Sequence, residues 1–353
     1  MTTVHQGLKL ALHGSLALLA TLAASTGHAQ QKTLYIGMNG GNQERVFTQN
    51  VFGPFEKENN VKVVVVPGGS GDLLAKVQAS KAKPQMHVML LDDGVMYRAI
   101  SMGLCERMKP NPYLQDLPPT ARIKGDMAVG MIMSMTGLAY NTKIFSEKGW
   151  APPTSWKDLA DPKYKGKVVV QSISASTFGL HAFLMINRLN GGDEKNVEPG
   201  FKAWPKTVGP NIIEYIPNSA KVAEMAQAGE VALFPYTPGQ TALLKSRGIP
   251  VEYAQPKEGS VLLMAAECVI ANNSEPELSQ KLAAYLISPE AQAAALKAGS
   301  FPPSNRKTPA EGDAAKEKAR IEGYASSSVV LDWDLVNEHR PVWNTRWNRT
   351  IER

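Results

Sequence analysis

Three short apolar runs, each followed by a turn and then by a helical pattern, constrain the fold of this chain more than any other feature. The strand and turn segments are residues 34–38 and 39–42, 61–66 and 67–72, and 87–91 and 92–94. After the first turn, Phe47, Val51 and Phe55 recur at four-residue spacing, as one face of a helix does. Strands that alternate with helices in this way predict a parallel sheet covered by helices.

A second set of strand and helix patterns occupies the middle of the chain. Its predicted strands are residues 167–171, 212–216, 231–236 and 251–255. Two longer apolar segments, residues 127–141 and 261–271, flank this set. We expect the first segment to carry the chain out of one sheet and the second to carry it back. This predicts two lobes joined by a two-strand hinge at residues 134–137 and 265–267.

The chain therefore divides into two lobes and a tail. The first lobe is expected to contain residues 30–135 and 266–310, and the second lobe residues 136–265. In the tail, residues 311–353, large apolar side chains recur at the spacing of an amphipathic helix: Trp333, Val336, Trp343 and Trp347. We expect this C-terminal helical segment to pack on the body of the protein.

Residues 1–29 have the pattern of a secretory signal peptide. Lys9 precedes an apolar run at residues 10–24, and the small residues Gly27 and Ala29 follow it. A membrane anchor is the alternative, but the run is shorter than the roughly 20 apolar residues that a bilayer span needs. We therefore expect cleavage after Ala29 and a periplasmic location.

Composition excludes some classes of partner. The formal charge is +6 and the isoelectric point is near 9.1, but Lys and Arg are scattered among acidic residues, so no nucleic-acid partner is expected. Beyond the signal only His87, His181 and His339 remain, too far apart in sequence to suggest a metal site. We expect neither a metal nor a cofactor.

Two cysteines, Cys105 and Cys268, leave two possibilities open. An exported protein meets an oxidising compartment, so they can form one disulfide. They can equally be two buried thiols that act as small apolar side chains.

Three stretches of the chain resemble a known family. They are residues 39–43 with 51–56, residues 153–168, and residues 343–349. They are similar to the type 2 periplasmic solute-binding proteins of ABC importers, in the branch that includes the spermidine and putrescine receptors. The resemblance implies an α/β protein of two lobes, a ligand cleft between them, and a monomer that docks on a membrane permease. Polyamine receptors usually carry an aromatic pair where this chain has residues 39–42, which argues against a long polyamine.

Ligands of open α/β sheets bind beyond the carboxyl ends of the strands. Glycines in these loops have two possible roles: they let backbone N–H groups approach a ligand, or they only turn the chain. Serines at the start of a helix likewise either bind an anion or only cap the helix. An amine of the solute would need an acidic partner, and the candidates are Asp92, Asp93 and Glu267, although one Asp can be a helix cap. Tyr236 either forms a wall of the cleft or packs in the core. The complete candidate set is Asn39, Gly40, Gly41, Asn42, Gly69, Ser70, Asp92, Asp93, Ser134, Thr136, Ser174, Ser176, Thr177, Tyr236 and Glu267.

Anion donors in one lobe and carboxylates in the other favour a small zwitterion, such as an amino acid, as the solute. A diamine or short polyamine held by the acidic residues is the second hypothesis. Two other functions stay open: a secreted enzyme on the same fold with Cys105 or Cys268 as nucleophile, and a receptor that presents its solute to a chemosensor. Neither cysteine lies in a predicted strand-end loop, so we do not expect an enzyme.

Overall fold

The computed structural model describes residues 31–352. The predicted signal peptide, residues 1–29, lies outside the described residues. Within them no helix is both long enough and apolar enough to cross a membrane.

Eleven strands are present in the described part of the chain. They are β1 (Lys32–Met38), β2 (Val61–Pro67), β3 (Val88–Asp92), β4 (Cys105–Glu106), β5 (Arg122–Ile123), β6 (Ala128–Asn141), β7 (Val168–Gln171), β8 (Ile212–Ile216), β9 (Leu233–Tyr236), β10 (Val251–Ala254) and β11 (Val261–Ile270).

The α-helices of residues 31–352 cover both faces of these strands. They are α1 (Asn42–Val46), α2 (Phe52–Asn59), α3 (Ser70–Ala79), α4 (Asp93–Ser101), α5 (Thr142–Lys148), α6 (Thr177–Leu189), α7 (Glu198–Thr207), α8 (Ser219–Gln227), α9 (Pro238–Ser246), α10 (Pro276–Leu286), α11 (Pro289–Gly299), α12 (Gly312–Ala325) and α13 (Trp333–Thr350). A π-helical turn, Phe47–Val51, joins α1 to α2, and short 3₁₀ helices lie at Leu114–Asp116, Pro119–Ala121, Trp156–Ala160, Pro162–Tyr164 and Gly209–Asn211. Ser155 forms a capping box with Asp158 at the start of the 3₁₀ helix Trp156–Ala160.

The strands form two sheets that share β6. The strand order is β2-β1-β3-β11-β6-β9-β7-β8. In the first sheet β1 pairs in parallel with β2 and β3, while β11 runs antiparallel between β3 and β6. In the second sheet β7 pairs in parallel with β8 and β9, and β9 and β10 pair antiparallel with the far end of β6. This is the two-lobed α/β architecture that the sequence predicts.

The chain leaves the first sheet in the middle of β6. Thr136 pairs with Val261 of the first sheet, whereas Gly137 pairs with Tyr236 of the second. A side chain at Gly137 would meet the Tyr253 hydroxyl at 2.2 Å, so only glycine fits this crossing point.

The return crossing lies earlier than the sequence predicts. We expected it at residues 265–267, but Ala265 and Glu267 pair with Asp92 and Leu90 inside the first sheet. The whole apolar run of β11 belongs to that sheet. The polar segment 255–260, which contains Pro256 and a left-handed Gly259, therefore carries the chain back.

The hydrophobic cores divide at the same two places. One core takes buried side chains from residues 34–135, 262–295 and Ile321. The other buried clusters take theirs from residues 138–261 and from the tail at residues 331–347.

The C-terminal tail makes a third passage between the lobes. α12 packs against the first core through Ile321. Val329 then pairs alongside Val261, its N–H donating to the Ser260 carbonyl at 2.7 Å. α13 buries Trp343 and Trp347 in the second core. The tail therefore joins both lobes.

Cys105 and Cys268 form a disulfide in the first lobe, with their Cα atoms 5.7 Å apart and a sequence separation of 163 residues. Because a crosslink restricts the unfolded chain, replacing both cysteines by Ala is expected to lower the free energy of unfolding by about 2–4 kcal/mol. Urea denaturation followed by circular dichroism measures this loss. Adding a reductant should lower the stability of the wild type and not that of the double variant; a wild type indifferent to reductant would contradict the prediction.

Candidate functional site

Three loops of the first lobe meet at the carboxyl ends of β1, β2 and β3. The Gly68 N–H donates to the Met38 carbonyl at 3.1 Å, which joins the first two loops. The Asp92 N–H donates to the Ser70 hydroxyl at 3.0 Å, which joins the second and third. Residues 39–41 of the first loop are exposed. The sequence-predicted loops of this lobe thus lie at one sheet edge, as the rule for open α/β sheets requires.

Two adjacent carboxyl groups end β3, and their environments differ. Asp92 precedes α4 but makes no capping bond with its side chain. Burial raises the pKa of Asp92 to about 6, while Arg340 and the Ser70 hydroxyl act in the opposite direction. Burial, together with the neighbouring Asp92 charge, raises the pKa of Asp93 to about 8. At neutral pH Asp92 is therefore mostly ionised and Asp93 mostly protonated.

In the second lobe, the loop between β7 and α6 presents hydroxyl groups. Ser172 and Ser174 hydroxyls are 2.7 Å apart, and Ser174 is exposed. The Ser176 hydroxyl caps α6 by accepting from the Phe178 N–H, and Thr177 is the first residue of the helix. Gly179 lies so close to the Gln171 carbonyl that an added Cβ would be 1.8 Å from it. This glycine lets the helix start pack on the strand end.

Arg340 lies between the two lobes, and sequence reasoning missed it. It extends from α13, and its guanidinium donates to the Ile173 carbonyl of the second-lobe loop at 3.2 Å. The same guanidinium interacts electrostatically with Asp92 of the first lobe, although no direct ion pair joins them among the described residues. A signal was present: Arg340 is the one charged position in a stripe otherwise composed of Trp333, Val336, Trp343 and Trp347. A cation within an apolar helix face needs a polar partner.

A buried group of side chains lies beneath this pair, beside the crossing strand. Thr136 and His181 are both fully buried, and the Thr136 hydroxyl is 2.8 Å from His181 Nδ1. Burial, together with the nearby Arg340 charge, lowers the pKa of His181 to about 3, so the imidazole is neutral at physiological pH. The Trp333 ring packs 5.8 Å from His181, centroid to centroid. Of this group only Thr136 was a sequence-predicted site residue.

The other sequence-predicted residues differ in how far they are buried. Tyr236 is 1% exposed, and its ring packs between Phe178 and Phe234 in the second lobe, which is the core placement left open by the sequence. Ser134 is partly exposed on β6. Asn39, Gly40, Gly41, Asn42 and Gly69 are exposed at the rim of the first lobe.

Glu267 is fully buried in β11, and neither carboxylate oxygen has a hydrogen-bond partner. Its burial raises the pKa well above 4.5. The folded protein therefore retains a proton that the unfolded chain releases above about pH 4.5, so wild-type stability falls as pH rises, by about 1.4 kcal/mol per unit until the raised pKa is reached.

We expect Glu267→Gln to remove this decline, because an amide does not titrate. Urea denaturation of both proteins at several pH values between about 5 and 8 measures the difference. Wild-type and variant stabilities that run parallel across this range would show that Glu267 is not held protonated.

Both sulfurs are bonded to each other and buried, with Cys105 4% and Cys268 0% exposed. A nucleophilic thiol must be a free and accessible thiolate. The cysteine-nucleophile enzyme that the sequence left open is therefore incompatible with this structure.

The chain is similar to proteins of one family. The family described as bacterial extracellular solute-binding protein matches residues 50–322. An uncharacterized protein of Haemophilus influenzae is 26% identical over 300 residues, covering 82% of this chain and 83% of the relative. The spermidine/putrescine-binding periplasmic protein of Escherichia coli K12 is 26% identical over 226 residues, 64% of this chain but only 60% of the relative's length.

A further relative spans nearly the whole chain. A candidate 2-aminoethylphosphonate-binding periplasmic protein of Salmonella typhimurium is 21% identical over 353 residues, 98% of this chain and 99% of the relative. Among solved structures, an ABC transporter protein from Clostridium perfringens superposes with a TM-score of 0.78 at 21% identity, covering 90% of this chain and 99% of the other. The family match spans well over half of the sequence and agrees with the two-lobed fold, so this chain belongs to the bacterial extracellular solute-binding protein family.

Proposed function

We propose that the protein binds a small zwitterionic solute, with an acidic group at one end and an amine at the other, and delivers it to an ABC permease. The observation that carries this proposal is the position of Arg340 between the lobes, in electrostatic contact with Asp92. Arg340 and the hydroxyls near Ser174 suit a carboxylate or phosphonate. Asp92, mostly ionised at neutral pH, suits an ammonium group.

A zwitterion also solves the electrostatic problem of the site. A lone guanidinium and a lone carboxylate that are partly buried but not in direct contact both lose hydration without full compensation. A solute that places its anion at Arg340 and its cation at Asp92 supplies both missing partners. The free energy gained on binding then favours the closed arrangement of the lobes.

The second hypothesis, a diamine, has less support from the site. Relatives named for spermidine and putrescine favour it. However, Arg340 would repel a second ammonium group, and Asp93, whose pKa is about 8, carries little charge at neutral pH. With Glu267 buried and protonated, Asp92 alone remains ionised for two amines.

The same proposal includes the location, the oligomeric state and the closing motion of the protein. The protein works in the periplasm after removal of residues 1–29, as a monomer, and it undergoes closure about the crossings at Gly137 and residues 255–260. Its action is reversible capture, not catalysis. The chemosensor function predicted as an alternative would use the same binding step.

Isothermal titration calorimetry of the purified mature protein tests the ligand class. The probes are 2-aminoethylphosphonate, 4-aminobutanoate and putrescine, chosen because the first two carry both charges and the third carries only amines. We expect heat of binding with at least one zwitterion and none with putrescine. Binding of putrescine alone would overturn the zwitterion proposal in favour of the diamine.

A further inference from the structure

The helix that carries Arg340 is fixed at its start by a close contact with the first lobe. The six-membered ring of Trp333 packs on Gly94, where an added Cβ would lie 2.5 Å from the ring. The Trp333 side chain also interacts with the Asp93 carboxyl and favours its charged form, and the Asn337 amide donates to the Gly94 carbonyl at 2.8 Å. The start of α13 is thereby held on the first turn of α4.

The other end of α13 is fixed in the second lobe. Trp347 is fully buried, with its ring 5.2 Å from that of Trp204 and 5.3 Å from that of Tyr215. Arg340 lies between these two anchored ends on the same face of the helix, two turns after Trp333. The Trp333 contact is thus the nearest fixed point of the helix on the first lobe.

From this geometry we infer that Trp333 and Gly94 are positioning residues, which hold Arg340 opposite Asp92 and thereby set the affinity for the anionic end of the solute. The inference deepens the proposed function, and only its statement about the solute depends on that function. The position of Gly94 makes the role specific. Gly94 is two residues from Asp92, so a shift of the Trp333 contact changes the spacing between the two charges directly. An alternative role, that of a packing contact needed only for stability, would leave that spacing unchanged.

Gly94→Ala tests the inference without a large change in composition, because the added methyl group displaces the Trp333 ring. Gly323→Ala is the matched control: this glycine lies in α12, and an added Cβ would meet nothing within 4 Å. If Gly94→Ala does not fold, Asn337→Ala removes the hydrogen bond to the Gly94 carbonyl and loosens the same contact more gently.

The first readout needs no solute: the pKa of the Asp92 carboxyl, followed by carbon-13 NMR during a pH titration. Asp92 faces Arg340, Asp93 and the Ser70 hydroxyl, and Arg98 adds a second positive charge near Arg340. Since Arg340 holds this pKa down, we expect both Arg340→Met and Gly94→Ala to raise it. The double variant should titrate like Arg340→Met alone, and Gly323→Ala like the wild type.

The second readout is the affinity for 2-aminoethylphosphonate. We expect Gly94→Ala to weaken it about tenfold, the effect of a displaced charge-assisted contact, and to have no further effect in the Arg340→Met background. A wild type that binds no zwitterion defeats the proposed function, while the pKa readout still decides this inference. An Asp92 pKa that Arg340→Met raises and Gly94→Ala leaves unchanged would overturn the positioning role. So would an Asp92 pKa insensitive to Arg340→Met.

Discussion

Replacing Arg340 by Met is expected to weaken zwitterion binding by at least about 100-fold, roughly 3 kcal/mol, while the fold persists. Met retains much of the apolar stem of Arg340, which lies between Val336 and Trp343 on one face of α13, but removes the guanidinium. The anion of the solute then loses its charge-assisted hydrogen bonds in a partly buried site. Calorimetric titration with 2-aminoethylphosphonate measures the loss.

Arg346→Met provides the control on the same helix. Arg346 is paired with Glu198 and its guanidinium lies 4.1 Å from the centre of the Phe201 ring, away from the first lobe. We expect this variant to bind the solute as the wild type does. Equal affinities for the wild type and the Arg340 variant would remove Arg340 from the binding site.

The second large effect is on stability: Trp347→Ala should lower the free energy of unfolding by about 3–5 kcal/mol. Trp347 is fully buried, its ring contacts those of Phe183, Trp204 and Tyr215, and its indole N–H donates to Glu352 at 2.8 Å. Truncation leaves a cavity in the second core and releases the end of α13. Urea denaturation followed by circular dichroism reports the change.

Val342→Ala is the comparison for this experiment, because Val342 lies on the outer face of the same helix and is 69% exposed. Its removal should change the stability by no more than about 0.5 kcal/mol. If Trp347→Ala costs less than about 1 kcal/mol, the tail is not part of the second core and the description of α13 is wrong.

Elements with an uninterrupted apolar pattern were predictable from the sequence. The long strand expected at residues 127–141 is β6, Ala128–Asn141, and the short strand expected at residues 87–91 is β3, Val88–Asp92. In both elements the apolar sequence pattern agrees with the burial of the side chains in the folded protein. The return crossing was misplaced because residues 261–271 were expected to cross between the sheets, whereas the strand that they form, Glu267 included, lies in the first sheet.

The candidate site was predictable only where strand ends supply it. Ser70 and Asp92 are joined by a hydrogen bond at the carboxyl ends of β2 and β3, as the alternating pattern implies. His181 and Arg340 come instead from helix interiors more than 150 residues apart in sequence. Packing of the tail across both lobes places them, and no local pattern encodes that contact. The ligand-binding roles of the predicted residues stay predictions until a solute is bound.

The most direct test of the account is a native mass spectrum of the protein taken from the periplasm of a producing cell, with any retained solute released and weighed. If Arg340 and Asp92 hold a zwitterion, the released solute contains both an amine and an acidic group, and it is absent from the Arg340→Met protein prepared in the same way. Recovery of a diamine or an uncharged sugar, or equal retention by that variant, would contradict it.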